Sequence, residues 1–490
     1  MKRTIIVVQT PSHWPLQIPG VEVVGARTYL TDPSFSLPSQ IRVFNVCRSY
    51  RYQSLGYYVS LLAQARGHKT IPSVTTIQDL KTPTLFRTIS DDLDDLIQHS
   101  LAPLKSDRFT LSIYFGRNLA KRYERLSWSF FRLFEAPLLR VSFRHADEGW
   151  EVRDISLLGT SDLPQEHRSF VVEAAQEYLA RPAVRAPRKK NLPYELAILW
   201  DSGEASPRAS DEKAVRRFCS AAESLGMDTE IIGRGDYGRL AEFDALFIRD
   251  TTNVDHYTYR FSRRASAEGL IVIDDPDSIL RCTNKVYLAE LLDRHRIPIP
   301  RTLVLGRESR DDVVDQLGLP CILKEPDSSF SQGVKKVETR EDLELQLSRL
   351  LEGSELVIAQ EFLPTAFDWR VGIINRRPLY VCRYHMARRH WQIVKRDGDG
   401  RRLYGRVEAV PLDEAPQEVV SLALKAANLI GDGFYGVDLK QSGDRSVIIE
   451  INDNPSVDAG YEDALLKDQL YLEIMKVFRE RLDRLKGNSK

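Results

Sequence analysis

The segment ARPAVRAPRKKNLP, Ala180 to Pro193, sets the first limit on how this chain can fold. Pro182, Pro187 and Pro193 deny helix hydrogen bonds, and five cations keep the stretch solvated. No single core can run through it, so it reads as a linker over 181–193 with a folded domain over 1–180 before it. A basic run could also touch an anionic partner, but the prolines and the lack of aromatics favour a plain connector. At 490 residues the chain has room for two to four domains.

Charge excludes some classes of partner. The 69 basic and 69 acidic residues cancel, so no overall field draws the chain to nucleic acid or an anionic membrane. Cys47, Cys219, Cys282, Cys321 and Cys382 are scattered and contain no CxxC pair, which argues against a disulfide framework or a zinc site. Ile5 to Val8 is too short for a signal-peptide core and reads as a first strand. No stretch approaches the roughly eighteen apolar residues of a membrane span. The expectation is a cytoplasmic protein with no membrane or nucleic-acid partner, for which a homo-oligomer remains open.

Before the linker the pattern mixes α and β: a helix at Leu55–Ala65, a strand at Phe109–Phe115, an aromatic-rich helix at Leu119–Phe134, then strands at Leu138–Arg144 and Trp150–Leu157. Arg117, Lys121, Arg122, Arg125 and Arg132 alternate with aromatics there, and their helical spacing suits one wet face and one core face better than an RNA surface. After the linker, strands and helices alternate as a parallel sheet with crossovers requires: Glu195–Trp200, Asp211–Leu225, Asp228–Ile232, Asp244–Arg249, Leu270–Asp274. A second block starts near Pro276 with a helix over Asp277–His295, strands at Ile322–Glu325 and Leu356–Glu361, and long strands at Trp369–Asn375 and Leu379–Tyr384. The fold class is therefore α/β, passing to α+β in the last block.

Gly233, Gly235 and Gly238 in GRGDYG have the GxGxxG spacing of a dinucleotide site, after a strand and before a possible helix Tyr237–Phe243. The helix is short and no acidic residue closes a second strand at the right distance, so the glycines read as a tight turn. A nicotinamide oxidoreductase is the weaker reading that this motif keeps alive. Neither a GxxxxGK[ST] loop nor an HRD and DFG pair is present, so any ATP must sit on another scaffold.

The chemistry concentrates in GFYGVDLK and VIIEINDNP. Alternation places Glu450 and Asn452 on one strand face with Ile449 and Ile451 on the other, and a hairpin through Ser442–Arg445 would bring Asp438 and Lys440 to the same cavity. Two carboxylates and an amide oxygen are hard ligands that suit Mg2+, which completes its octahedron with phosphate oxygens and water. Clustering so many oxygens, Asp453 and Asn454 included, beside an apolar VII run is costly without a cation.

Upstream, Lys285 lies on a helix and Lys324 ends an apolar strand, followed by a small loop with Ser328, Ser329, Ser331 and Gly333 whose amides could cap a terminal phosphate. Beside polyphosphate such a lysine stays protonated. Gln360 to Leu363 can offer backbone partners to adenine with Leu363 in an apolar slot, while Glu361 and Asp368 could accept from adenine or ribose. Arg370 and Arg383 would then reach the phosphate end. Cross-strand pairing of Asp368 with an arginine is the bland alternative.

These motifs, NK at Lys285, ILKEP, SSFSQGV, QEFL, DWR, GVDL and EIN with Asn454, together resemble the ATP-grasp superfamily, and within it the RimK-type glutamate ligases and glutathione synthetases. The resemblance runs from about Glu195 to the C-terminus. It implies a pre-ATP-grasp domain over 194–275 and a two-subdomain ATP-grasp domain over 276–486. It implies ATP contacts from Lys285, Lys324, Ser329, Gly333, Gln360, Glu361, Leu363 and Asp368, and metal binding by Asp438, Glu450 and Asn452 (Mg2+, with Mn2+ able to replace it). Arg370 and Arg383 are implied as catalytic contacts to the terminal phosphate or acyl phosphate, and Asn454 as a substrate contact. Through SLGYYVSLLAQARGHKTIPS, Ser54 to Ser73, the first half resembles the amino-terminal domain of some RimK-like proteins. RimK-type enzymes carry an Arg-rich segment before an Arg-Ser-Asn element, whereas here the segment reads MARRHWQIVKRDGDG, so the resemblance does not fix the substrate.

The expected activity is an ATP-dependent, ADP-forming carbon–nitrogen ligase that joins a small carboxylate to an amine, amino acid or peptide, through an acyl phosphate. The competing reading is an ATP-binding regulatory module without turnover. Arg383, Arg388, Arg389, His385 and His390 suggest an anionic substrate.

Overall fold

The computed structural model describes residues 3–14, 16, 18, 20–36, 41–82, 93–146, 149–180, 192–201, 208–306, 313–327, 333–387, 390–396 and 402–487. Most of the expected linker, 181–191, lies outside them. The chain forms two compact units, Met1–Asn191 with Ile232–Phe243, and Leu192–Ile231 with Asp244–Lys490.

In the first unit β1 (Arg3–Val8), β2 (Glu22–Gly25), β3 (Ile41–Val46) and β4 (Lys69–Ile71) form a sheet of order β2-β1-β3-β4 in which every pairing is parallel. Near-continuous apolar runs such as Ile5–Val8 suit a sheet covered on both faces. The helix Leu55–Ala65 falls where its apolar spacing places it, and Ser54 caps it by accepting from the Tyr57 amide. β5 (Arg108–Tyr114), β6 (Leu138–Ala146) and β7 (Gly149–Leu157) form an antiparallel sheet beside the helix Glu124–Leu133. The cations around that helix are taken up locally: Arg117 meets Glu124, Glu173 and Glu177, and Arg132 pairs with Asp236.

The GRGDYG segment belongs to this unit, and it is neither a nucleotide loop nor a simple turn. Arg234–Glu242 is a 3-10 helix, replacing the helix expected from Tyr237. Asp236 accepts from the Gly233 amide and from Arg239, and holds Arg132. A Cβ on Gly238 would sit 2.0 Å from the Arg132 carbonyl oxygen, so glycine permits two backbones to touch. The same contact buries Glu135 beside Glu242, Arg42 and Tyr178. Arg42 donates to the Tyr178 hydroxyl at 2.7 Å and to Glu242 at 3.3 Å, and Tyr178 donates to Glu135 at 3.2 Å.

The second unit contains three larger sheets. β8 (Tyr194–Leu199), β9 (Met227–Ile232), β10 (Ala245–Ile248) and β11 (Ile271–Ile273) make the order β11-β10-β8-β9, with β10 parallel to both β8 and β11. β12 (Thr302–Leu305), β13 (Cys321–Lys324), β14 (Val334–Val337) and β15 (Val357–Glu361) pair antiparallel as β12-β15-β13-β14. β16 (Phe367–Ile374), β17 (Arg377–His385), β20 (Val407–Val410), β21 (Phe434–Ser442) and β22 (Arg445–Asn452) form the antiparallel order β20-β17-β16-β21-β22. A short hairpin, β18 (Val394–Arg396) with β19 (Arg402–Tyr404), precedes β20.

Helix Gln417–Ile430 packs its apolar stripe on one face of the five-stranded sheet, around Trp369, Val371, Val437 and Ile451. Helix Asp468–Leu485 buries Leu470, Tyr471, Ile474, Met475 and Phe478 against the β8–β10 layer. Each such side chain contributes roughly 1.5–3 kcal/mol. The helix expected over Asp277–His295 is two helices, Pro276–Thr283 and Lys285–Arg294. They break at Asn284, which leaves the helical region to cap the second helix through the Tyr287 amide and to donate to Asp327. Among the described residues no helix is long and apolar enough to cross a membrane.

Two outcomes test the first unit. Gly238→Ala should destabilise it by about 1–3 kcal/mol, because backbone must move, and the shift should show as a lower unfolding midpoint. Burial, with Glu242 adding to it, pushes Glu135 up to about 8, above its unfolded value. Its stabilising contribution is therefore complete at low pH and is lost as pH rises towards 8, by at most ~1.4 kcal/mol per unit. Glu135→Gln should flatten that dependence, and parallel melts from pH 5 to pH 9 would reveal a failure as two curves with the same slope.

Candidate active site

The second unit encloses a cavity of about 300 Å3 lined by Lys285, Lys324, Asp368, Arg370, Asp438, Lys440, Glu450, Asn452 and Asn454, with Gln360, Glu361, Phe362, Leu363 and Trp391. Strand register assembles its centre. β21 and β22 pair Asp438 with Glu450 and Gly436 with Asn452, and the hairpin closes at Ser442 and Arg445. β16 lies on the other side of β21 with Arg370 opposite Asp438. Arg370 clamps Asp438 with two hydrogen bonds, Nε to Oδ1 at 2.6 Å and Nη2 to Oδ2 at 2.7 Å, and stacks over Tyr384 at 4.6 Å.

A bulge between Asp438 and Leu439 skips Ile449, which lines the cavity while Ile448 enters the core. Ile449 thus departs from the strict alternation expected of it. Gly436 is needed for the site's shape, since a Cβ there would come within 2.7 Å of the Pro455 ring.

The oxygen donors fit a hard cation. The Asn452 amide nitrogen donates to Asp438 Oδ2 at 3.2 Å, which turns its oxygen the other way. Glu450 meets Lys285 at 3.6 Å. Two carboxylates and one amide oxygen on adjacent rigid strands match magnesium's usual share of protein ligands. Burial pushes the Asp438 carboxyl up, opposed by Arg370.

The cations face the opposite problem. Burial, with Lys285 and Lys440 nearby, pulls Lys324 down to about 8 even though Glu450 and Asp368 favour its charge. Lys285 opens the helix Lys285–Arg294, where its amide donates to the Pro326 carbonyl. Lys440 pairs with Asp368 at 2.6 Å and donates to Thr365 at 2.7 Å. Asp368 therefore takes a lysine, where an arginine was the expected bland partner.

Other expected residues stand differently. Arg383 does not join Arg370: it pairs across with Trp369, lies over the Trp369 and Phe367 rings at 4.8 and 5.2 Å, and meets Glu408 at 3.7 Å. Arg370 is opposite Cys382, so strand alternation turns residue 383 to the other face. Glu361 lines the cavity, but its carboxylate accepts from the Arg301 amide and Nε and from Arg445. Burial would raise this carboxyl, yet Arg445 and Arg301 outweigh it and hold the pKa below the ordinary value. The Gln360 side chain is spent on Thr302. Gly333 sits at φ 69°, with its carbonyl taken by the Glu325 amide. Ser328, Ser329, Ser331, Arg388 and Arg389 lie outside the described residues. Asn454 accepts from Arg249 at 2.7 Å and donates to the Asp250 carbonyl. His385 bonds to Glu408 and His390 to Gln392, so both rings have protein partners.

Sequence reasoning missed Thr251, Thr252 and Asn253, which line the cavity after β10, and the buried Arg249 before them. A strand ending in Arg249 and Asp250 carries the same signal that singled out Lys324.

Residues 282–467 match the family model of the RimK-like ATP-grasp domain, and residues 26–174 match that of the RimK-like ATPgrasp N-terminal domain, together more than half of the chain. The chain carries a RimK-like ATP-grasp domain and a RimK-like ATP-grasp N-terminal domain. Among its relatives is the alpha-aminoadipate–LysW ligase LysX of Sulfolobus acidocaldarius, 26% identical over 239 residues, 46% of this chain and 79% of the relative. Another is a probable alpha-L-glutamate ligase of Vibrio vulnificus, 25% identical over 307 residues, 61% of this chain and 97% of that one. Among solved structures, D-alanine–D-alanine ligase from Bacillus anthracis aligns at TM-score 0.46 and 14% identity, over 60% of this chain and all of that one. The ATP-grasp ligase is ADP-forming, and its nucleotide cofactor is ATP with magnesium.

Lys324→Met separates binding from stability. Removing a desolvated cation should leave the unliganded protein at least as stable, while ATP–magnesium affinity measured by calorimetry falls roughly ten- to a hundredfold, about 1.4–2.7 kcal/mol.

Proposed function

We propose that this cavity activates an amino-acid or peptide carboxylate as an acyl phosphate and passes it to an amine. The observation that carries the reading is the convergence of Asp438, Glu450 and Asn452 with Lys285, Lys324, Arg370 and Lys440 on one cavity. Lys285 and Lys324 meet the phosphates. Ile322, Phe362, Leu363 and Trp391 supply the apolar slot for adenine, with Asp368 at its polar edge. Asp438, Glu450 and Asn452 hold magnesium, which when bound neutralises charge on the phosphate oxygens; manganese suits the same donors. Arg370 keeps Asp438 in place. Asn454, whose amide is held by Arg249 and the Asp250 carbonyl, positions the loop after β22 at the substrate side of the cavity. The division into a domain over 194–275 and one over 276–486 follows the same reading, and the free cysteines fit a cytoplasmic setting.

In the first step a carboxylate oxygen attacks the γ-phosphorus, forming a carbon-bound O–P linkage as the bond to ADP breaks. The amine nitrogen then attacks the acyl carbon, the C–N bond forms and the bond to phosphate breaks. Of the two protons the ammonium gives up, one leaves with phosphate and one passes to solvent. Positioning and fixed charge supply the acceleration, and no side-chain nucleophile is required. The named activities of the LysX and glutamate-ligase relatives support an amino acid as one of the two substrates.

Incubating the chain with ATP, magnesium and pooled amino acids should release ADP and phosphate and yield a new amide by mass spectrometry. Nucleotide binding without amine-dependent release would replace the ligase with a regulatory module. Arg370→Ala should cut turnover about a hundred- to thousandfold, ~2.7–4 kcal/mol, and raise the magnesium concentration required. Unchanged turnover in a folded variant removes Arg370 from the mechanism.

A further inference from the structure

A second buried charge cluster adjoins the cavity, and the chemistry described so far leaves it unused. Asp274, just after β11, is 1% exposed, and neither carboxyl oxygen has a hydrogen-bond partner. Asp453, just after β22, is 4% exposed, lines the cavity and leaves Oδ2 without a partner. The neighbouring cation is Arg249, which is fully buried and spends its N–H groups on neutral oxygens of Ser210, Asn454, Ala209 and Pro455. Asp250, also buried, is satisfied by the Thr251 amide and the Tyr257 hydroxyl. Two unsatisfied carboxyls therefore stand near one guanidinium that bonds to neither. Burying such groups is expensive unless a cation or donor completes them.

Three of the four cations of the cavity pair with acids on its other side, Lys285 with Glu450, Arg370 with Asp438 and Lys440 with Asp368, and Lys324 feels Glu450 and Asp368. The wall made by the loops after β10 and β22 carries the opposite character: Thr252 hydrogen-bonds to Asp453, and the free Oδ2 remains beside it. A group that enters this wall must be a cation with several N–H donors and must be small. A primary ammonium meets both requirements, whereas a second anionic group would face Asp453 unpaired.

We propose that Asp453, backed by Asp274, is the receiving site for the acceptor amine, so that the ligase selects its second substrate as a small primary ammonium. This rests on the ligase reading for its meaning and on the buried carboxyls for its chemistry. Asp453 is the contact residue and Asp274 a positioning residue whose buried, unpartnered carboxyl stands behind it.

Binding can be tested without turnover. The full chain, with ATP analogue and magnesium, is melted in the presence of methylammonium or single amino acids, against sodium and tetramethylammonium at equal ionic strength. At least one primary amine should raise the midpoint by about 2 °C, with neither control doing so. Asp453→Asn should abolish that shift, Asp274→Asn should reduce it severalfold, and Asp453→Glu should restore part of it, with nucleotide affinity as the fold check. A native protein that answers to no primary amine, or Asn variants that answer as the native does, overturns the proposal. Amine-dependent ADP release in the same samples reports separately on the ligase. Binding without release would fail that reading alone, and release with unaltered amine dependence in both variants would fail this one alone.

Discussion

The double hydrogen bond between Arg370 and Asp438 is the contact on which the site depends. It joins β16 to β21, and the same carboxylate accepts from Asn452 on β22, so three strands are tied through Asp438. A one-residue slip of either pairing would send Arg370 or Glu450 to the helix-covered face. Buried ion pairs rarely add net stability, because desolvation offsets attraction. Here the pair sets register and holds the Asp438 carboxylate in one rotamer, while stability comes from Val371, Val437, Leu439 and Ile451 beneath it.

That arrangement explains which parts of the site could be read from sequence. Within one strand, alternation is unambiguous, and the tight connection at Ser442–Arg445 made the hairpin partner of Asp438 legible as well. Between β16 and β17 the parity is set by which residues face each other across the turn, and nothing in the sequence shows it. Arg383 therefore looked equivalent to Arg370 yet lies on the Trp369 face. The bulge at Ile449 was hidden for the same reason, since one extra residue changes a strand's facing without changing its composition. The broken helix at Asn284 is a different case. Its apolar periodicity runs straight through the break, and only the capping chemistry of Asn284 and the Asp327 contact end the first helix.

GRGDYG shows how a spacing can be right and its meaning wrong. Glycine at 238 answers to a backbone crossing at Arg132, a contact between residues about a hundred positions apart. A local motif carries no trace of such a partner. The alternation of β8, β10 and β11 was legible because parallel strands with crossover helices impose a long-wavelength pattern, whereas the packing of residues 232–243 is decided by one close approach.

The overall charge of zero says little about a chain whose charges are sorted this strongly. In the cavity, lysines crowd until burial and mutual repulsion bring Lys324 down to about 8, and burial drives Asp274 well above the ordinary carboxyl range, with Asp453 adding to it. Each excess would relax if a ligand of opposite sign arrived, a polyanion for the first and an ammonium for the second. Free energy withheld from the unliganded fold is thereby returned on binding, when oppositely charged groups enter a desolvated site. β13, β16, β21 and the helix that opens at Lys285 carry the cations, while the residues just after β10, β11 and β22 carry the acids. Were the acids on mobile loops, they would fold over onto the lysines and cancel both fields. Strand ends anchored through Arg249 to the Asn454 side chain and the Pro455 carbonyl prevent that collapse, which gives a wholly buried arginine a reason to contact neither aspartate.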